Sequence, residues 1–448
     1  MIEGLRPYSE MSATGLDWLP AVPVHWETRR IKTVLHEVDR RTTTGEEKLL
    51  SLRMIAGLVG HNDVGGKPIP PAALVGFKKI EPGQIVMNRM RAAIGLFGVA
   101  NEPGLVSPDY AVFSELVDAD QQYLLRLFRV PAMGAIFRSE SKGLGTGQSG
   151  FLRLYTDRFG SIRIPLPPLD EQRLIVRFLD WHGAMTGKLV RAKRRLIAVL
   201  NEQKQSIIHR AITRGIDPAT KLKPSGVDWL GDVPEHWEVK RLKWVVRLQR
   251  GYDLPADQRI EGTYPVVSSG GVIGKHVECR ATAPGVVMGR YGSTDAVFFL
   301  DEDFWPHNTS LFVTDFQGNA PRWCFHMLRT ISKADHSGKS AVPGVDRKDL
   351  YEIMIAVPPP SDQQYIASAI DDNCAEFERS IALVKDEIAL IQEFHTRLIA
   401  DVVTGQLDVR AVAASLPDVA EADAAGDLTD EDDLDNDADA LIDEEEAA

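Results

Sequence analysis

The chain contains itself twice, and that duplication constrains its fold more than any single residue does. Thr14–Val34 (TGLDWLPAVPVHWETRRIKTV) returns as Ser225–Val245 (SGVDWLGDVPEHWEVKRLKWV), 211 positions later. PLPPLDEQ at Pro165–Gln172 returns as VPPPSDQQ at Val357–Gln364, 192 positions later. Each copy opens on a Trp-Leu, Val-Pro, His-Trp segment, runs through a globular stretch and closes on a Pro-Pro stop before a long helical pattern. The order is globule, rod, globule, rod.

A chain of 448 residues with 44% apolar side chains exceeds one core and can bury one in each half. No stretch approaches 18 consecutive apolar residues, so no membrane partner is expected. MIEGLRPYSEM does not read as a signal peptide, and Cys279, Cys324 and Cys374 are too scattered for a disulfide framework or a zinc site. A cytoplasmic location is expected. The net charge of −13 is concentrated at one end, because 15 Asp and Glu and no Lys or Arg follow Arg410. Residues 1–410 hold 51 basic against 49 acidic side chains, a mildly basic balance compatible with nucleic acid. The acidic tail, 411–448, is expected to be disordered.

Both rods are legible. Asp170 and Asp362 follow Pro-Pro and are expected to cap helices running to about Thr213 and Thr404. Met185, Leu189, Leu196, Val199 and Ile207 recur at heptad-like steps in the first. Ile370, Phe377, Ile381, Val384, Ile388 and Ile391 do so in the second, with Asn373 and His395 as register-setting polar positions. Each rod spans roughly 60 Å. One seam needs another, so the two helices are expected to pack as an antiparallel intramolecular coiled coil; a homodimeric coiled coil is the alternative. The globules read as mixed α/β, with strands at Gln84–Asn88, Ala111–Leu116, Gly285–Gly289 and Ser310–Thr314. The fold class is α+β: two similar mixed α/β heads (1–164 and 216–356), two long helices (165–215 and 357–410) and a pseudo-twofold repeat. The heads differ in length, so one fold is expected to present two different surfaces.

The chain lacks a recognisable active site. GTGQSG at Gly145–Gly150 matches G-x-G-x-x-G, but the Pro-rich stretch soon after it leaves no room for the helix of a βαβ unit. GKS at Gly338–Ser340 lacks the first glycine of a phosphate loop, and the histidines do not fall at metal spacing. No catalytic and no metal residue is assigned. His25, His236 and the repeated Trp18, Trp26, Trp229 and Trp237 read as packing that clamps each head to a helix.

What remains is polar chemistry on loops. The first head offers Asn88, Arg89, Arg91, Tyr110, Thr146, Gln148, Ser149 and Arg153. The second offers Ser269, Lys275, Arg290, Tyr291, Ser293, Thr294, Asn308, Thr309, Lys339 and Ser340. Such side chains read base edges and grip phosphates. Their equivalent placement in both heads makes them candidate DNA-binding residues.

The twice-occurring DWL, VP-x-HW element and Pro-Pro helix start resemble type I restriction–modification specificity (S, HsdS) subunits, and SSGGVIGKH, PGVVMGRYGST and FWPHNTSLFV resemble a target-recognition domain of that family. The resemblance covers about residues 10–410. PPPSDQQ in place of PPLDEQ and the acidic tail depart from its pattern. It implies a non-catalytic subunit whose heads each read one half of a bipartite, asymmetric double-stranded DNA target, with the helices as spacer and docking surface. It implies two methyltransferase (M) subunits, restriction (R) subunits in a full complex, and no cofactor on this chain: S-adenosylmethionine, ATP and magnesium belong to the partners. Competing readings are a sequence reader of a related defence system, a protein scaffold, and an enzyme with an unrecognised site.

Overall fold

The structure, a computed structural model, describes residues 5–144, 151–290, 296–331 and 346–417. They divide into two compact units, 1–193 with 386–448, and 194–385.

Unit 1 is built on a four-stranded antiparallel sheet of β1 (Leu35–Glu37), β2 (Ile85–Asn88), β3 (Phe97–Val99) and β4 (Tyr110–Glu115), in the order β1-β4-β2-β3. Unit 2 repeats it with β5 (Arg247–Arg250), β6 (Gly285–Gly289), β7 (Val297–Leu300) and β8 (Ser310–Asp315), in the order β5-β8-β6-β7. The central strands are runs of apolar residues buried on both faces, IVM in β2 and VVM in β6. Each unit adds a second pair at its base: Glu27–Arg30 with Arg163–Leu166, and Glu238–Arg241 with Met354–Val357. Leu166 lies opposite Glu27 and Val357 opposite Glu238.

The two long helices are α1 (Leu169–Arg214) and α2 (Pro360–Val403). Their starts are 191 residues apart, one fewer than the sequence match suggests. Gln172 Nε2 donates to Pro167 O and its Oε1 accepts from Asp120 N; Gln363 does the same with Pro358 O and Ala320 N. Gln172 is therefore equivalent to Gln363, and Glu171 to Asp362. Neither Asp170 nor Asp362 is a cap. Both lie inside the first turn, where negative charge favours the helix dipole.

Within each unit the two helices run antiparallel. In unit 1 the buried His182 and His395 rings stack 5.2 Å apart with 6° between their planes, and Lys193 Nζ lies 2.5 Å from Glu387 Oε2. In unit 2 Lys204 Nζ lies 3.7 Å from Glu378 Oε1, while Ile208, Ala211 and Ile212 share a core with Ile366, Ala367 and Ile370. The seam on α2 follows Ile370, Phe377, Ile381, Val384, Ile388, Ile391 and His395, all buried or half-buried. Asn373 is exposed and donates to Ala369 O, and Cys374 takes the inner position. On α1 the expected line is displaced by one residue. Met185, Leu189, Leu196 and Val199 are exposed, whereas Thr186, Val190, Lys193, Ile197, Leu200, Lys204 and Ile208 are buried or half-buried; Ile207 is half-buried beside them.

Each core closes on both helices. In unit 1 Trp26 and Val22 pack with Ile175 and Phe178 from the start of α1 and with Leu398, Val402 and Val403 from the end of α2. In unit 2 Trp237 packs with Ile366 and Ile370 from the start of α2 and with Ile208 and Ile212 from the end of α1. Trp26 and Trp237 are buried; Trp18 and Trp229 are half-buried against the same cores. No helix among the described residues is long and apolar enough to cross a membrane.

Candidate functional site

In each unit the candidate residues gather where the two central strands meet their loops. In unit 1 β2 ends at Asn88, opposite Tyr110 at the start of β4. Asn88 is buried, and its Oδ1 accepts from the backbone N–H of Met90 (3.0 Å) and Arg91 (3.1 Å). This Asx turn bends the chain out of the strand, so the Asn88 amide oxygen shapes the loop and is not offered to a ligand. Arg89 is also committed: its Nη2 lies 2.5 Å from Glu37 Oε1 and 3.3 Å from Thr156 Oγ1. Thr156 donates to Glu37 Oε2 at 2.6 Å, and the buried Lys78 approaches Glu37 Oε1 at 3.2 Å. Two cations and a hydroxyl thus hold one carboxylate and brace the sheet end.

Arg153, Arg91 and Tyr110 also lie at this edge, all half-buried. Lys142–Leu144 and Phe151–Arg153 form an antiparallel hairpin, so the strands flanking the GTGQSG match are not those of a βαβ unit; residues 145–150 themselves lie outside the described residues. Leu154 N donates to Arg89 O, fixing that hairpin to the strand end. Arg153 Nη2 lies 2.9 Å from the exposed Asp109 Oδ1, with its guanidinium 5.7 Å from the Tyr155 ring centroid. Thr146, Gln148 and Ser149 lie outside the described residues.

In unit 2 β6 ends at Gly289, opposite Ser310 of β8. Arg290 N donates to Thr309 O at 3.0 Å. Thr309 Oγ1 accepts from Ser269 N at 3.3 Å and lies 3.1 Å from His307 Nδ1. Thr309 and the Ser269 backbone thus tie three loops together. Burial, then the nearby Arg259, hold His307 below the usual imidazole range. Asn308 Nδ2 lies 2.5 Å from Asp253 Oδ1. Lys275 is exposed on the hairpin of Tyr264–Ser268 and Gly271–His276. Tyr291, Ser293, Thr294, Lys339 and Ser340 lie outside the described residues.

The structure adds groups to this edge that the sequence did not single out. Val272 and Ile273 stand exposed on the same hairpin as Lys275, and Arg259 Nη1 donates to Ile273 O. Arg280 lies 5.0 Å from the Trp305 ring and 5.9 Å from the half-exposed Tyr252 ring. The one sequence signal for the hairpin is its paired glycines, Gly270 and Gly271, which are followed by two apolar residues on an edge strand. Two faces result, built on the same four-stranded sheet order and unlike in side chains. They carry cations, amides, hydroxyls and small apolar groups, the set that reads base edges and phosphates. Among the described residues no three His, Cys, Asp or Glu side chains are grouped to hold a metal ion. Burial pushes the Cys324 and Cys374 thiols up, which disfavours the reactive thiolate at both.

Residues 73–197 and 234–393, more than half of the chain, match the type I restriction modification DNA specificity domain. The chain is 33% identical over 119 residues to the type I restriction enzyme MjaVIII specificity subunit of Methanocaldococcus jannaschii, a match covering 26% of this chain and 25% of that protein. It is 26% identical over 239 residues to the type I restriction enzyme EcoprrI specificity subunit of Escherichia coli, covering 50% of this chain and 56% of that one. These matches span less than two thirds of either relative. A chain solved in work on complex assembly and conformational transition of the type I R-M system superposes with a TM-score of 0.63 at 15% identity, over 85% of this chain and 98% of its own length. That likeness is one of fold.

Proposed function

The chain belongs to the type I restriction–modification DNA specificity family, and from that premise we propose that its two units each read one half of a bipartite, asymmetric DNA target. One observation carries the reading: the same four-stranded sheet order recurs in both units while the loops at its reading edge differ residue by residue. Two different surfaces on one scaffold suit two different half-sites better than they suit one substrate.

The long helices set the spacing between half-sites and dock two methyltransferase subunits. Docking is supported by apolar side chains that the seam leaves outside. In unit 1 these are Met185 and Leu189 on α1 with Leu390 and Phe394 on α2; in unit 2 they are Leu196 and Val199 on α1 with Leu383 on α2. Stripes of this kind at heptad spacing fit partner helices. S-adenosylmethionine, and ATP and magnesium where restriction subunits join, act on those partners. This chain contributes recognition and no catalysis.

The test is adenine-methylation mapping in cells carrying this chain, its partners, and a variant with seven residues added to each long helix. Seven residues lengthen a helix by about 10 Å, roughly three base pairs at 3.4 Å each. The variant is expected to keep both half-sites and lengthen the gap. An unchanged gap refutes the spacer role, and methylation without a split motif refutes the reading.

A further inference from the structure

The same surface differs in charge between the two units. At the base of unit 1, Arg30 lies directly opposite Arg163 across the antiparallel pair, and Lys32 lies in the 3-10 turn that follows. All three side chains are exposed, and none has a carboxylate partner among the described residues. Like charges opposite each other weaken a sheet pair. In unit 2 the equivalent positions are Arg241, Met354 and Lys243. There Glu352 neutralises both cations, with Oε2 3.0 Å from Arg241 Nη1 and Oε1 3.4 Å from Lys243 Nζ. The residue equivalent to Glu352 in unit 1 is Ser161, whose hydroxyl donates to Arg158 O. The same fold thus closes this charge in one copy and leaves it open in the other.

A short helix lies between the open patch and the candidate reading edge. Lys32 belongs to the 3-10 turn Ile31–Thr33, packed on the helix Thr156–Ser161 so closely that a Cβ on Gly160 would lie 3.0 Å from Lys32 Cβ. Thr156, at the other end of that helix, shares Glu37 with Arg89. One short helix therefore links Arg30, Lys32 and Arg163 to the edge holding Arg91, Tyr110 and Arg153.

We infer that Arg30, Lys32 and Arg163 form a phosphate-binding patch that grips the DNA backbone flanking the half-site read by unit 1, and that Glu352 closes the corresponding patch in unit 2. The partner is the phosphodiester chain because three uncompensated cations on a strand pair offer charge without the shaped polar pocket that base readout requires. The inference rests on the DNA-reading function proposed above, and it makes the two heads unequal: unit 1 carries an anchoring contact that unit 2 lacks.

The test exchanges residues between the copies, so that each variant installs what the same fold already carries. Ser161→Glu with Arg163→Met should close the patch in unit 1, and Glu352→Ser should open it in unit 2. These ion pairs are exposed and contribute little to folding. Affinity of the chain with its methyltransferase partners for its target duplex is measured against salt, together with phosphate-ethylation interference. Each phosphate contact contributes about 0.9 to the slope of log affinity on log salt. The unit 1 variant should flatten the slope by about 2–3 and lose interference at phosphates outside one half-site only; Glu352→Ser should steepen it. An unchanged slope and interference pattern in the unit 1 variant overturns the patch while leaving DNA reading intact. Loss of a methyltransferase subunit from that variant also overturns it, by making the patch a protein contact. Failure of the unaltered complex to bind any duplex specifically sinks the parent reading instead.

Discussion

Removing the Glu171 carboxylate should loosen unit 1 far more than removing its counterpart Asp362 loosens unit 2. Glu171 sits in the first turn of α1 with its side chain 6% exposed. Its Oε1 accepts from Tyr8 Oη at 2.5 Å and Trp26 Nε1 at 3.1 Å, and its Oε2 lies 2.7 Å from His25 Nε2. Burial and the bond to Glu171 push the Tyr8 phenol far above its ordinary range, so it remains a donor. Glu171→Ala strands three polar groups, two of them buried, each costing about 1–3 kcal/mol. Because such effects do not simply add, about 3–5 kcal/mol is expected. Asp362 makes one 3.1 Å contact with His236, and the two side chains are 39% and 52% exposed. Asp362→Ala should therefore cost about 0–1 kcal/mol. Two units need not unfold together, so hydrogen exchange resolved by peptide suits the question better than a single melting curve. In Glu171→Ala, protection over residues 19–30 and 396–409 should fall a hundredfold or more; in Asp362→Ala, residues 230–241 should change less than fivefold. Equal effects from the two variants would contradict this expectation, because burial and the number of partners are what separate the two sites.

The His182–His395 stack makes unit 1 acid-sensitive. Burial holds both below the usual imidazole range, with neighbouring His182 helping to bring His395 to about 4. A depressed histidine favours the neutral state, so its stability is present above pH 6.5 and declines as pH falls toward 4. His395 alone accounts for about 3 kcal/mol, and His395→Leu should flatten the decline in a denaturant titration across that window. Gly405→Ala should destabilise more than Gly215→Ala. Both glycines have positive φ (75° and 78°), but a Cβ at 405 would lie 2.5 Å from Pro23 Cδ, and one at 215 would lie 3.4 Å from Trp237. About 2–4 against about 1 kcal/mol is expected in thermal unfolding, and parity between them would contradict the packing. Residues 1–215 alone lack Leu398, Val402, Val403, Val409 and Ala413 of the unit 1 core. At about 1.5–3 kcal/mol for each large apolar side chain, that loss approaches the whole stability of a domain. The fragment should be protease-sensitive until residues 216–417 are added, and a resistant fragment would show that unit 1 closes without α2.

The elements were legible because their signals are local. The buried VVM and IVM runs, the Pro-Pro stops and the Trp repeat each mark a strand, a helix start or a head without reference to distant residues. The failures share one cause, competition between two local signals. On α1 the most apolar line, Met185 to Val199, faces out, and the inner line includes Thr186, Lys193 and Lys204, whose aliphatic stems pack while Lys193 and Lys204 meet Glu387 and Glu378. Periodicity alone ranks the outer line first. At the start of α2 three consecutive prolines, Pro358 to Pro360, let the repeat slide by one residue. The site was less readable still. Asn88 and Arg89 have the right chemistry for DNA, and the sequence does not show that an Asx turn engages the Asn88 amide oxygen or that Glu37, 52 residues away in sequence, pairs with Arg89. Arg280, Tyr252 and Trp305 gather only through the fold.

The repeat in the sequence and the unit in the structure are not the same object. A sequence repeat is a head followed by its own helix; a structural unit is a head held by the start of that helix and the end of the other. In unit 1 Trp26 meets Glu171 of α1 on one side and Gly405, just beyond α2, on the other. In unit 2 His236 meets Asp362 of α2, while Trp237 meets Gly215, just beyond α1. Each head is thus attached at two points by two antiparallel helices. Lengthening α1 alone would add residues to one helix of the antiparallel pair with no counterpart in the other. Lengthening both by the same whole number of heptads keeps the seam in phase and every attachment in place. A spacer built this way can change only in matched steps, which is why the insertion that tests it must enter both helices.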